Sequence, residues 1–177
     1  MSQALSESTQ LPSDLASAIL FEIEQTFRGQ VPNLFQAYAK YPPLLEASWN
    51  KFKSIMLAGK LRREVKEVMA LLISHDNECK YCVAAHTAVL HEMRFNEEKI
   101  AGMLQNVLPP VFTEKEMALI KFARKANNDW HKISETNIKE LFDLGIDESE
   151  LLEAFGVMEM FIAFNRFADV MGIEIDF

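Results

Sequence analysis

The chain has 177 residues, 49% of them hydrophobic and thirteen of them Phe, with only six Gly and six Pro; this fits one domain with a sizeable core and excludes a fibrous or bulk-disordered chain. Twenty-six acidic against eighteen basic residues leave a net charge of −8, which repels phosphate backbones and argues against a nucleic-acid partner. No apolar run of about eighteen residues exists, so no membrane span is expected, and the opening MSQALSESTQLP has neither the basic start nor the apolar centre of a secretory signal.

Residues 1–12 read as a short mobile tail, and residues 13–177 as a single domain. SDLASAILFEIEQTF opens with two capping candidates, Ser13 and Asp14, and carries apolar positions 15, 19, 20, 23 and 27 at helical spacing. PNLFQAYAKY places Pro32 where a first helical turn tolerates it, and PPLLEASWNKFKSIML repeats the pattern up to Gly59. LRREVKEVMALLIS has apolar residues at 61, 65, 68, 69, 72 and 73, one face of a helix that should end near Ser74. HDNE breaks it, and CKYCVAAHTAVLHEM resumes it. NEEKIAGMLQNV starts at a good cap, Asn96, and stops before Pro109. Thr113 with Glu116, and Asp147 with Glu150, have the spacing of capping boxes. Ser134 caps SETNIKELFDLG, which stops at Gly145. The last helix, from Leu151 to Met171, is apolar around most of its circumference, which predicts a central helix or a contact with another subunit. Period-two alternation is absent, so the fold class is all-α. EVMALLI (67–73) and EMALIKF (116–122) echo each other, as do MRFNEEKIAGML and LGIDESELLEAF. This hints at two copies of a helical unit about fifty residues apart.

Both cysteines, Cys79 and Cys82, lie in the stretch EVMALLISHDNECKYCVAAH, with His86 four residues after the second. On a helix Cys79, Cys82 and His86 share a face. One turn brings the Cα atoms of Cys79 and Cys82 to about 5 Å, inside the disulfide window. If HDNE folds two helices back on each other, Glu67 and His86 stand at the same height, since each lies seven steps, or about 10 Å, from the turn. The carboxylate can then hold one imidazole nitrogen and leave the other for Cys82, a nucleophile–base–orienter arrangement. A helix start stabilises a thiolate, and after oxidation of Cys82 to a sulfenic acid Cys79 can close a disulfide and release water. His86 is nearer to Cys82, which makes Cys82 the attacking sulfur and Cys79 the resolving one. The helix dipole favours Cys79. Glu67, Cys79, Cys82 and His86 are also an acceptable zinc ligand set. Tyr81 and His75 are auxiliary candidates. His91, His131, Trp49 and Trp130 read as structural or interface residues, and Asn165 and Arg166, polar within an apolar helix, as members of a salt-bridged contact.

The pattern E-x11-C-x2-C-x3-H, filled by Glu67, Cys79, Cys82 and His86, resembles the signature of the alkylhydroperoxidase D-like (AhpD-like) branch of the carboxymuconolactone decarboxylase family. VPNLFQAYAKYPPLLEASWNKFKSIML and FNRFADVMGIEID are similar to flanking segments of its peroxidase-related members. The resemblance implies an all-helical AhpD-like fold with the C-x-x-C at a helix N-terminus, and homo-oligomers, trimers or hexamers. It also implies thiol-dependent peroxidase or disulfide reductase activity, with no tightly bound cofactor and with an external dithiol of lipoyl or thioredoxin type as reductant. Decarboxylase members lack the cysteine pair. The better-known peroxidase members carry a histidine where this chain has Tyr81, a poor base near neutral pH. The expected location is cytoplasmic, because a close cysteine pair without a signal fits a reducing compartment. The competing expectation is a redox-sensing or zinc-stabilised oligomer without turnover.

Overall fold

The computed structural model describes residues 13–177; the tail expected over 1–12 lies outside the described residues. Every regular element among them is helical: α1 Ser13–Thr26, α2 Asn33–Tyr38, α3 Pro42–Phe52, α4 Arg63–Asp76, α5 Lys80–Glu92, α6 Glu97–Leu104, α7 Glu114–Asp129, α8 Glu135–Asp143 and α9 Glu148–Met171. A π-helical turn, Lys53–Leu57, follows α3, and a 3-10 turn, Trp130–Lys132, follows α7. No helix among the described residues is long and apolar enough to cross a membrane.

The chain divides into two compact units, one ending at Lys51 and the other running from Phe52 to Phe177. In the first, Phe35 meets Trp49 edge-on at 5.4 Å between ring centroids, and Phe27 lies 6.2 Å from both. Such tilted aromatic contacts add to area burial. Trp49 is buried, as expected. Pro32 stands one position earlier than predicted, at the N-cap of α2, where its extended ψ of 139° introduces the helix.

The second unit is built around α4. Every residue from Val65 to Ser74 is buried, so α4 is the helix enclosed on all sides. The sequence offered that role, or else a contact with another subunit, to α9. Instead α9 buries one face, Leu151, Ala154, Val157, Met160, Phe161, Phe164, Asn165 and Ala168, and leaves Leu152 60% and Val170 84% exposed. Trp130 is exposed as well; it lies in the turn that ends α7, outside any packed face. Arg166 is exposed and reaches back to the Ile162 carbonyl at 3.4 Å, so among the described residues it does not form the inter-helix salt bridge expected of it.

Helix ends follow local chemistry. Thr113 with Glu116, and Asp147 with Glu150, close the predicted capping boxes, and Ser134 forms a third with Asn137. Asn96 accepts the Lys99 amide at 3.0 Å. α4 runs two residues past the predicted end. It stops in a Schellman turn: the Glu78 amide donates to the His75 carbonyl, and the Cys79 amide donates to the Ser74 carbonyl, both at 3.0 Å. The turn needs a left-handed residue, and Glu78 supplies it with φ of 60°. α5 therefore starts immediately, folded back on α4.

At the other end of α4, Lys66 is buried and forms an ion pair with Glu153 of α9. Its ammonium also donates to the carbonyls of Ile55, at 2.8 Å, and Ala58. The Glu153 carboxylate accepts the Lys60 amide at 2.7 Å and the Leu61 amide at 3.3 Å. Gly59, with φ of 98°, lies so close to this carboxylate that a Cβ would collide with it.

Candidate functional site: a buried dithiol beside an acid–imidazole pair

The hairpin of α4 and α5 brings Glu67 and His86 together. The imidazole Nδ1 lies 2.7 Å from Glu67 Oε2 and donates to it; Glu67 is 2% and His86 7% exposed. With Nδ1 engaged, a neutral ring carries its lone pair on Nε2. Arg63 Nε donates to the other carboxylate oxygen at 3.3 Å. Phe161 of α9 stands edge-on to the imidazole at 4.5 Å and holds its plane. Burial pushes the Glu67 carboxyl up, but the hydrogen bond and charge of His86, joined by Arg63, outweigh it and hold the group below its ordinary value. Glu67 is thus a carboxylate.

Both sulfurs are reduced and buried. Cys79 occupies the N-cap of α5, and Cys82 lies three residues on, one turn before His86. The two thiols titrate as a pair. The Cys82 thiol, as hydrogen-bond donor, lowers the Cys79 thiol below its ordinary value against the opposing effect of burial; the Cys82 amide acts in the same direction and Asp169 against it. Cys82 is pushed far up by that same bond and by burial, with Asn165 pulling the other way. Of the two thiols, Cys79 is thus the one on which charge is favoured.

Behind the sulfurs runs a chain of amides. Asn127 Nδ2 donates to Asn77 Oδ1 at 3.1 Å, Asn77 Nδ2 to Asn165 Oδ1 at 2.9 Å, and Asn165 Nδ2 to Ser74 Oγ at 2.9 Å. Next to it, Asp76 is held by Arg124 and, at 2.6 Å, by Asn128. Sequence reading singled out Glu67, Cys79, Cys82 and His86; it did not single out Ser74, Asn77 or Asp169, and gave Asn165 a salt-bridge role. The available signal was Asn165 itself, an amide in the apolar stripe of α9. Tyr81 is buried against Phe177, ring centroids 5.5 Å apart. His75 is exposed and faces Asp76 at 3.4 Å. His91 bonds the Phe95 carbonyl at 3.0 Å and Glu97 at 2.9 Å. Among the described residues no three His, Cys, Asp or Glu side chains converge to hold a metal ion, so the four motif residues do not assemble the zinc set their types would allow.

Residues 42–125, which include the whole motif, match the carboxymuconolactone decarboxylase family. This segment belongs to that family. The fold is AhpD-like. It is similar to a peroxidase-related protein with an alkylhydroperoxidase AhpD core from Ralstonia eutropha JMP134, at 25% identity and a TM-score of 0.80 over 94% of this chain and 87% of that one. It is also similar to a peroxidase-related protein from Silicibacter sp. TM1040, at 24% identity and a TM-score of 0.81 over 98% of this chain and 91% of that one. The debrominase Bmp8 shares the fold at 21% identity and a TM-score of 0.75, over 91% of this chain and 86% of that one. A cysteine-to-alanine variant of Bmp8 was solved with 2,3,4-tribromopyrrole. A comparison with curated proteins finds no match.

Proposed function

We propose that the protein is a thiol-dependent peroxidase or disulfide reductase acting on organic hydroperoxides. The observation that carries this reading is the buried 2.7 Å contact between Glu67 and His86, one helical turn from a reduced C-x-x-C pair. His86, oriented by Glu67, takes the proton of Cys82, whose thiolate attacks the terminal oxygen of the hydroperoxide. The O–O bond breaks, two electrons pass from sulfur to oxygen, and the alcohol leaves with a proton delivered through His86 and Glu67. Cys82 is left as a sulfenic acid. Cys79 gives up its proton and attacks that sulfur as a thiolate; the S–S bond forms, and hydroxide leaves as water by taking up that proton. An external dithiol then returns two electrons and two protons. The depressed Cys79 thiol suits the second step, in which a thiolate is needed at once. The same depression supports a second assignment, in which Cys79 attacks first and Cys82 resolves.

Mass mapping separates the two. With one equivalent of cumene hydroperoxide, the wild-type chain is expected to lose two thiols and gain a Cys79–Cys82 disulfide. Cys82→Ser should abolish peroxide consumption, a loss of at least about 1000-fold. Cys79→Ser should leave a sulfenic acid on Cys82 that dimedone traps. The opposite pattern reverses the roles, and retention of both thiols refutes the function. A brominated pyrrole offered with the same dithiol tests reductive debromination, the activity named for Bmp8. The exposed Leu152 and Val170 of α9 also fit a homo-oligomer contact, which sedimentation would test.

A further inference from the structure

α5 carries Cys79 at its start and ends at Glu92, about 20 Å further on. At that far end lies a second hollow, of about 160 Å³, between the start of α4, the end of α5, the first turn of α6 and the segment before α7. Local turns build it. α5 ends in a Schellman turn: the Arg94 amide donates to the His91 carbonyl at 2.9 Å, and the Phe95 amide to the Leu90 carbonyl at 3.0 Å. Arg94 takes the left-handed place in that turn, with φ of 67°, where glycine or asparagine would cost less. Phe95 turns inward and stacks on Phe112, ring centroids 6.0 Å apart and planes 8° from parallel. The Arg62 guanidinium lies over the Phe112 ring at 5.9 Å. Glu116 takes its Nε and Nη2 at 2.6 and 3.1 Å, and the Val111 carbonyl also accepts from Nη2. Nη1 is left over, since Glu64 stands 4.0 Å away, out of hydrogen-bond reach.

The charges around the hollow do not balance. Arg62, Arg94 and Lys99 line it, against one acid, Glu64, in a chain whose net charge is −8. Arg94 and Lys99 are exposed, and neither side chain has an ion-pair or hydrogen-bond partner among the described residues. Lys99 also sits in the first turn of α6, where the helix disfavours a cation. We propose that this hollow binds a small organic carboxylate, its oxygens between Arg94, Lys99 and Nη1 of Arg62 and its apolar body against the Phe95–Phe112 pair. A bound anion relieves the crowding of like charges, and the volume suits a compact acid rather than a nucleotide. The site is separate from the dithiol and independent of the proposed function.

The test is a titration of the wild-type chain with sodium benzoate, followed by amide chemical shifts. Saturable shifts are expected around residues 62–64, 93–99 and 111–112, with a Kd of about 1 mM that weakens as ionic strength rises. Arg94→Asn, which suits the left-handed backbone, and Lys99→Ala should each weaken binding about fivefold, and the two together should abolish it. Both side chains are exposed, so the fold is expected to survive. Lys121→Ala removes an exposed cation of α7 outside the hollow and should leave the Kd unchanged. Neutral benzamide probes the need for charge and inorganic phosphate the need for an apolar body; each should bind at least about tenfold more weakly. Phosphate binding as tight as that of benzoate overturns the carboxylate class. Absence of saturable shifts below about 20 mM, shifts centred elsewhere, or a Kd indifferent to Arg94→Asn and Lys99→Ala overturns the site itself.

Discussion

Glu67 and Glu116 hold the same place in the echoing segments EVMALLI and EMALIKF, each in the N-terminal half of a long helix. Their fates differ. Glu67 is buried against His86. Glu116 lies at the start of α7, closes the capping box of Thr113 and meets Arg62 Nε at 2.6 Å near the surface. The residue type is identical, and the difference lies in what covers it. α4 is enclosed by α5, α7 and α9, so a carboxylate on it must find a permanent partner. α7 keeps an open side, and its carboxylate does ordinary capping work. The second unit of the echo also has no cysteine: where the first folds back at once into Cys79, α7 runs on into the turn of Trp130.

This contrast can be broken by substitution. The largest effect on stability is expected at Lys66→Ala, which leaves the Glu153 charge without its buried partner; urea unfolding should show a loss of about 3–5 kcal/mol. Glu67→Ala strips the acceptor from a buried imidazole and should cost about 2–3 kcal/mol, together with at least about a 10-fold drop in peroxide turnover. Glu116→Ala removes only a cap and a surface ion pair, and should cost about 1 kcal/mol with turnover intact. If the two glutamates proved equal in both readouts, burial would not be what separates the two units.

Acid sharpens the comparison. Glu67, Asp76 and Glu116 all have folded values below their ordinary ones. Each contributes stability that is present above its unfolded value and lost as pH falls through the folded one. The urea midpoint should therefore drop between about pH 5 and pH 2. Asp76→Asn should flatten that fall, because Arg124 and Asn128 bind the ionised form. The smallest effect is expected at Glu78→Gly, which relieves a left-handed side chain at the hairpin turn and should change stability by about 1 kcal/mol or less, since added freedom of the unfolded chain offsets the relief.

Much of this was legible because it is local. Capping boxes span three residues, and the i, i+4 relation of Cys82 to His86 is built into any helix. Glu67 was reachable because only a short turn separates its helix from α5. The reach to Glu153 from the Lys60 amide, 93 positions away, had no such shortcut, nor did the Ser74–Asn165 bond across 91. Lys66 reads as one more surface cation in LRREVKEV; its burial depends on which helix occupies the centre, and the all-apolar look of α9 suited a central helix or a subunit contact alike. The polar side chains that act on the thiols, Asn165 and Asp169, come from α9, so they emerge only once that helix is placed.

Neither sulfur offers a face to the solvent, Cys79 at 0% and Cys82 at 2% exposure. A reagent reaches them only when neighbouring side chains part, and encounter frequency then ceases to set the pace. At high reagent concentration the observed rate should level off at the opening rate, with bulky reagents reaching a lower ceiling than small ones. The corner thus sieves its reactants by size before any chemistry of theirs is consulted.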